Sequence, residues 1–200
     1  MKINIILAHC NGYGIGYAGK MCWHVGADLK HFARLTTGRG DYKNAIIMGR
    51  KTWQSMPYKR PLPFRDNLIL SSAPEASKDH LFWFSTIDAI LKHCDDKQYD
   101  EVWVIGGEKL YSEFLDARSP YLPLIHAVHV THINADFTCD TFCSPDFVSH
   151  TALAKQFTLC SVTTEIERCT NLVDGSPATN VDVTRYEYTR RTTRNTIMNN

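Results

Sequence analysis

The chain carries the stretch EVWVIGGEKLYSEFL at residues 101–115, and this stretch decides the fold. Its first part, Glu101–Ile105, is a short apolar run of the kind that forms a buried strand. The pair Gly106-Gly107 interrupts the run, and Glu108–Leu115 then spaces its apolar residues as an amphipathic helix does. A strand that passes through glycines into a helix is the building unit of an α/β sheet, so the sequence predicts such a sheet.

The same order of strand and helix recurs along the rest of the chain. Apolar runs predict strands at Ile3–Leu7, Asn44–Met48, Asn67–Leu70, Phe82–Phe84 and Ala127–Ile133. Helical spacing predicts helices at Asp28–Leu35, Arg50–Met56 and Ile87–Lys92, the last of them preceded by a capping-box spacing from Ser85 to Asp88. Two long strand-like segments, Phe157–Ile166 and Val181–Thr189, predict a C-terminal antiparallel hairpin. We therefore expect an α/β fold with a central mixed, mostly parallel sheet of about eight strands, flanked by helices.

Composition sets the class of protein. The 200 residues suit a single domain, which we place at residues 1–190 with a polar tail at 191–200. A formal net charge of +1 provides no basic field for nucleic acid or a membrane surface, and the short apolar N-terminus predicts neither a signal peptide nor a membrane span. The seven scattered cysteines predict reduced thiols rather than a metal site. We expect a cytoplasmic monomer.

Ligands of open α/β sheets bind beyond the carboxyl ends of the strands. Gly106-Gly107 and Gly49–Thr52 each follow a predicted strand and open a predicted helix, where backbone N–H groups favour phosphate. Either alone is most simply a tight turn, whereas both together indicate a bound diphosphate or dinucleotide. The cations Arg50 and Lys51, with Ser72, favour NADP over NAD.

Several other residues allow two interpretations. Gly14–Gly19 matches GxGxxG but no helix follows it, which favours a flexible glycine loop near a ligand over a dinucleotide fingerprint. Asp28 has two interpretations. It is either an acid that stabilises the start of a helix, or a carboxylate in an apolar pocket that binds and protonates a nitrogen heterocycle. Arg65 is either a surface charge or a clamp for a carboxylate, and Tyr111 and Thr131 are either core residues or site residues.

Taken in order, the motifs resemble those of dihydrofolate reductases. They are Ile15-Gly16, Trp23-x4-Asp28-Leu29-Lys30-x-Phe32, Ile47-Met48-Gly49-Arg50-Lys51-Thr52-Trp53, Arg60-Pro61-Leu62-x-x-Arg65-x-Asn67, Val104-Ile105-Gly106-Gly107 with Tyr111, Thr131-His132-Ile133 and Asp140-Thr141-Phe142. The resemblance runs from Met1 to Tyr188. It implies reduction of dihydrofolate to tetrahydrofolate by hydride from NADPH, in support of one-carbon metabolism.

The resemblance also implies the roles of individual residues. The implied catalytic group is Asp28, Trp23, Tyr111 and Thr131. The implied dihydrofolate contacts are Ala8, Asp28, Leu29, Phe32, Met56, Leu62, Arg65, Ile105 and Thr131. The implied NADPH contacts are Ala8, Ile15, Gly16, Gly19, Lys20, Met21, Gly49, Arg50, Lys51, Thr52, Ser71, Ser72, Ile105, Gly106, Gly107, Glu108, Lys109, Leu110 and Tyr111. Gly14–Met21 resembles the loop that closes over nicotinamide, and Gly106-Gly107 resembles a cis peptide of the family.

The chain departs from the family pattern at a few positions. Cys22 stands where proline usually precedes the tryptophan, and Phe64 stands where glycine usually precedes the arginine. Cys139 and Cys143-Ser144 are also unusual. Two alternatives are a riboflavin-pathway reductase, which Trp23-x4-Asp28 and Arg65 disfavour, and a non-catalytic binding relative.

Overall fold

The computed structural model describes residues 1–56 and 60–191. The expected tail from residue 192 onward and the first residues of the predicted proline loop, 57–59, lie outside the described residues. Within the described ranges, no helix is long and apolar enough to cross a membrane.

A nine-stranded mixed sheet forms the centre of the fold, in the order β3-β10-β11-β8-β1-β7-β4-β5-β6. The strands are β1 (Lys2–Cys10), β3 (Trp23–Val25), β4 (Asn44–Gly49), β5 (Asp66–Leu70), β6 (Leu81–Phe84), β7 (Glu101–Gly106), β8 (Ile125–Ile133), β10 (Phe157–Asn171) and β11 (Thr179–Arg190). The six strands from β8 to β6 run parallel to one another, and β11, β10 and β3 extend the β8 side by antiparallel pairing. The predicted mixed, mostly parallel sheet with a terminal hairpin is confirmed.

Six helices connect and cover the sheet within the described residues. They are α1 (Gly26–Thr37), α2 (Arg50–Ser55), α3 (Ile87–Lys97), α4 (Glu108–Leu115), α5 (Pro145–Val148) and α6 (His150–Leu153). Helix α3 begins at Thr86, whose hydroxyl accepts a hydrogen bond from the Ala89 amide at 3.1 Å. The capping role predicted for Ser85 is therefore wrong by one residue, because the chain enters the helix one position later.

The core divides between the two faces of the sheet. Alternation along β1 sends Ile5 and Leu7 to the cluster that packs under α3 and α4. Ile6 points to the opposite face, where it joins Trp53 of α2 and packs with Phe32 of α1. The face under α1 and α2 is therefore the one that meets the predicted ligand residues.

Three short strands of the structure are not predicted by the sequence. Gly14–Gly16, predicted to be irregular, forms β2 and pairs with β9 (Thr141–Phe142) in a small antiparallel sheet. Trp23–Val25 forms β3 at the edge of the large sheet, next to the end of β10. Because three-residue and two-residue strands carry no measurable periodicity, their partners and not their own sequences determine them.

Candidate active site

Helix α1 carries Asp28 in its first turn and holds it against the large sheet. The Asp28 residue is 8% exposed, and Thr131 of β8 is 4% exposed. Ala8 is the register partner of Thr131 in the parallel β1–β8 pair. The acid thus lies at a buried position beside the carboxyl ends of two central strands, rather than on the solvent side of the helix.

The surroundings of Asp28 oppose its ionisation. Burial raises the pKa of the Asp28 carboxyl, whereas a hydrogen bond with Thr131 and the positive charge of Arg185 lower it. The negative charge of Glu167 adds a smaller upward effect on the same pKa. A carboxyl group whose pKa is raised holds its proton to a higher pH than an exposed aspartate does, which suits a group that supplies a proton.

An apolar wall extends from Asp28 along the same face. Phe32, Met56, Leu62 and Ile105 are partly buried and pack on the cluster that contains Trp53. Leu29, which follows the acid on α1, is 41% exposed. The predicted substrate residues therefore share one side of the molecule and form a surface on which a flat ring can pack.

Trp23 lies in β3, next to the start of α1, and is 1% exposed. Its indole Nε1 is buried and has no hydrogen-bond partner among the described residues. A buried donor without a partner is costly, so a bound water or ligand atom at this position would satisfy it.

Arg65 is a buried cation, 3% exposed, at the far end of the apolar wall. Its Nε donates to the Pro63 carbonyl at 3.0 Å, one terminal nitrogen donates to the Thr36 hydroxyl, and the guanidinium carbon lies 5.8 Å from the Phe32 ring centre. Burial lowers the pKa of Arg65 to about 10, so the side chain stays charged at neutral pH. No carboxylate neutralises it among the ion pairs of the described residues, and it can therefore pair with an acidic ligand group.

The second half of the site lies where β7, β4 and β5 end side by side. Gly49 begins α2, and a Cβ on it would lie 4.0 Å from the Gly106 oxygen and the Gly107 nitrogen. The cations Arg50 and Lys51 follow Gly49 directly in α2. The order of strands thus brings together the two glycine turns that the sequence separates by more than fifty positions.

Gly106-Gly107 joins β7 to α4 through a cis peptide bond. Gly106 has a φ of +110°, and a Cβ on it would lie 2.8 Å from the Tyr111 hydroxyl oxygen. The Tyr111 hydroxyl donates to the Ile6 carbonyl at 3.0 Å and is buried in the core. Tyr111 therefore packs under the glycine pair from inside, and the catalytic contact predicted for it stays a prediction.

The serines after β5 differ from each other. Ser71 is buried, and its hydroxyl donates to the Ala73 carbonyl at 3.0 Å and accepts from the Ala73 amide at 3.1 Å. Ser72 is exposed beside it. Ser71 thus shapes the turn, whereas the Ser72 hydroxyl is accessible to a ligand.

The glycine loop is tied to the segment before β9. The Ala18 amide donates to the Asp140 carboxylate at 2.7 Å, and the Asp140 amide donates to the Gly16 carbonyl at 2.9 Å. The hydrogen bond from Ala18, followed by that from Thr141, lowers the pKa of Asp140. These contacts tie Gly16 and Ala18 of the loop to Asp140, and the NADPH contacts predicted for Ile15, Gly16, Gly19, Lys20 and Met21 stay predictions.

Three thiols meet under this loop. The sulfur of Cys139 lies 3.3 Å from that of Cys22 and 3.7 Å from that of Cys10. Burial raises the pKa of both Cys10 and Cys22 to about 12. Among the described residues no group of three His, Cys, Asp or Glu side chains is arranged to hold a metal ion.

Most predicted residues fall into two groups on the same side of the sheet. The group around Asp28 and the group around Gly106 correspond to the two ligand sets expected from the sequence, and their roles stay predictions. Sequence reasoning missed Thr36, Asp140 and Arg185 as site residues. Arg185 carried only a weak signal, the alternation of charged residues along the last two strands.

A buried carboxyl beside an apolar wall, with paired glycine turns at neighbouring strand ends, is typical of α/β enzymes that bind a flat ligand and a phosphate-bearing one. Comparison with known proteins makes the class specific, because the family model "Dihydrofolate reductase" matches residues 2–166. The chain belongs to the dihydrofolate reductase family.

Two curated relatives illustrate the similarity. The dihydrofolate reductase of Drosophila melanogaster is 32% identical over 148 residues, which cover 71% of this chain and 79% of that protein. The dihydrofolate reductase of Aedes albopictus is 34% identical over 163 residues, covering 77% and 84%. A solved dihydrofolate reductase from Enterococcus faecalis, complexed with NADP(H), shares the fold with a TM-score of 0.68 at 23% identity, covering 94% of this chain and 96% of that one.

Proposed function

We propose that Asp28 is the group that assists protonation of the pterin ring while dihydrofolate is reduced to tetrahydrofolate. As a member of the dihydrofolate reductase family the chain is an NADPH-dependent oxidoreductase. The observation that carries the proposal is a single carboxyl, 8% exposed and raised in pKa by burial, at the open end of an apolar wall.

The residues around the glycine turns fit NADPH. Gly49 and Gly107 leave bare backbone at the start of two helices, and a Cβ on Gly107 would approach the Thr52 hydroxyl to 3.2 Å. Arg50 and Lys51 lie next to them and match the negative charge of a phosphorylated dinucleotide. When bound, NADPH supplies the hydride.

The chain's own residues would bind and orient the substrate. The Asp28 carboxyl would hold the nitrogen-rich edge of the pterin, with Thr131 fixing the carboxyl orientation. Phe32 and Leu62 would pack on the ring system, and Arg65 would pair with the carboxylate tail. The loop anchored by Asp140 would exclude water beside the ring.

A direct assay tests these roles. NADPH absorbance is followed with dihydrofolate for the wild-type chain and for Asp28→Asn, with Asp96→Asn, a change at an exposed residue of α3, as the matched control. We expect a loss of about 10²–10⁴-fold in hydride transfer for Asp28→Asn, the usual contribution of a positioned acid, and no change for the control. Wild-type turnover in Asp28→Asn would refute the assigned role, and no NADPH decay in the wild type would favour the non-catalytic alternative.

We also propose that residues 1–190 form one domain, followed by a polar tail at 191–200, and that the protein acts as a cytoplasmic monomer without nucleic acid or membrane partners. The formal net charge of +1 and seven unpaired thiols support this assignment. The end of β11 at Arg190 supports the boundary. Light scattering of the purified chain would give the mass of a single copy, and a dimer mass would contradict the proposal.

A further inference from the structure

We infer that Arg185, a mostly enclosed cation beside Thr131, is a positioning residue for the reaction, and that together with Glu167 it acts through Asp28 by setting the pH at which this acid gives up its proton. The inference rests on the proposed function of Asp28.

The register of the last strand places Arg185 beside Thr131 of β8. Arg185 of β11 is the Cα partner of Thr131 in the antiparallel β8–β11 pair. Directly opposed residues of an antiparallel pair project their side chains to the same face, so Arg185 lies next to the residue that contacts Asp28.

Two carboxylates of the neighbouring strand hold the Arg185 side chain. A terminal nitrogen of Arg185 lies 2.7 Å from Glu165 Oε2, and the other lies 3.7 Å from Glu167 Oε1. The Arg185 side chain is only 12% exposed, and its buried Nε has no hydrogen-bond partner within residues 1–56 and 60–191. Two carboxylates thus fix the Arg185 guanidinium in place, and its positive charge acts on the Asp28 carboxyl.

A polar cavity gives this cluster access to solvent. A cavity of about 480 Å³ lies between α1 and the hairpin, and Arg185, Thr131 and Ala27 all line it. Ala27 directly precedes the acid on α1. The first turn of α1, which carries Asp28, therefore borders a polar cavity that is lined by charged side chains.

Among the described residues, the charges that act on Asp28 include one cation and one anion of the C-terminal hairpin, and the titratable side chains of Lys30, His31 and Arg34 on α1 and of His129 on β8 line the same cavity. Arg185 on β11 lowers the pKa of Asp28, and Glu167 on β10 raises it. Thr131 on β8 is neutral, and the neighbouring Ala8 on β1 has no titratable side chain. Removing Arg185 or Glu167 should therefore move the titration of Asp28 in opposite directions, which a merely structural role would not do.

Four variants test the inference. Arg185→Met removes the cation, Arg185→Lys keeps it, and Glu167→Gln removes the opposing charge. Arg168→Met is the matched control, because Arg168 is an exposed arginine of the same hairpin that does not act on Asp28. The carboxyl carbons of aspartate are labelled with ¹³C, Asp28 is assigned by its absence in Asp28→Asn, and its NMR signal is titrated with pH.

The expected results differ in sign. The Asp28 midpoint rises in Arg185→Met, falls in Glu167→Gln, and stays near the wild-type value in Arg185→Lys and Arg168→Met. Above the midpoint the hydride-transfer rate follows the protonated fraction, so Arg185→Met should exceed the wild type by roughly two- to tenfold at pH 9. An unchanged midpoint in Arg185→Met would overturn the inference. If Arg185→Met does not fold, Glu167→Gln decides it by the same measurement.

The two readouts separate this inference from the proposed function. The NMR titration reports Asp28 without turnover, so it tests Arg185 even if Asp28 has no catalytic role. A midpoint shift without any change in the pH dependence of hydride transfer would refute the action on the reaction, and wild-type activity of Asp28→Asn would refute the proposed function itself.

Discussion

Replacing Gly106 by alanine should disrupt the junction between β7 and α4. Gly106 has a φ of +110°, a backbone conformation that residues with a Cβ rarely adopt. The added Cβ would also lie 2.8 Å from the Tyr111 hydroxyl oxygen and 2.9 Å from the ring carbon that bears it. The Tyr111 ring cannot retreat freely, since its hydroxyl is bonded to the Ile6 carbonyl.

The expected cost is the sum of two contributions. The backbone conformation costs about 1–2 kcal/mol for a residue with a Cβ. Overpacking against a buried ring adds about 1–3 kcal/mol. The free energy of unfolding should therefore fall by about 2–5 kcal/mol, which for a domain of this size lowers Tm by roughly 4–20 °C.

Thermal unfolding followed by circular dichroism measures this loss. The matched control is Gly175→Ala, because Gly175 has a φ of +70° and a Cβ on it would meet nothing within 4 Å. The control measures the cost of a positive φ without a steric contact, and the larger loss expected for Gly106→Ala contains both the contact with Tyr111 and its higher φ. Adding Tyr111→Leu to Gly106→Ala should recover part of the steric loss. Equal Tm values for Gly106→Ala and Gly175→Ala would refute the reasoning about Tyr111.

Four further outcomes follow from the site and its surroundings. Arg65→Leu should raise the KM for dihydrofolate by about tenfold or more with little change in kcat, since a charge-assisted pair contributes about 1.5–3 kcal/mol; an unchanged KM would show that the tail binds elsewhere. Asp28→Asn should raise Tm at pH 8. Burial raises the pKa of Asp28, so the wild type loses stability as the pH rises from about 3.8 through that raised pKa, whereas asparagine does not ionise. A lower Tm of the variant at every pH would contradict this sign. Burial lowers the pKa of His129 to about 4, so stability should fall as pH drops from 6.5 towards 4, and His129→Asn should flatten that Tm profile. Phe64 has a φ of +64°, so Phe64→Gly should stabilise the fold by about 1 kcal/mol in urea unfolding, and no gain would indicate compensating contacts.

The repeating units of the fold could be predicted from the sequence, because each carries its own pattern. The apolar run of Asn44–Met48 and the helical spacing of Glu108–Leu115 are local properties, and the structure contains both elements. β3 and β9 could not be predicted in this way, since Trp23–Val25 and Thr141–Phe142 become strands only by pairing with distant segments. Such pairing is a property of the assembled sheet.

The site divides along the same line. The local sequence leaves two interpretations of Asp28 open, and only the family resemblance points to a site residue; the structure buries its side chain at 8% exposure. Arg185 could not be assigned, because its nearness to Thr131 depends on the register between β8 and β11. Phe64 stands where the family pattern has glycine. Its φ of +64° is a left-handed conformation that glycine adopts more easily, which the sequence alone does not show.

The three adjoining sulfurs of Cys10, Cys22 and Cys139 are natural probes of local opening by thiol labelling. Cys10 is 1% exposed and Cys22 is 0% exposed, so an alkylating reagent reaches them only after a local opening of the segments around them. The labelling rate, read by mass spectrometry, therefore counts these excursions without any added dye. Comparing the labelling rate with and without nucleotide would measure how a bound nucleotide changes this local opening.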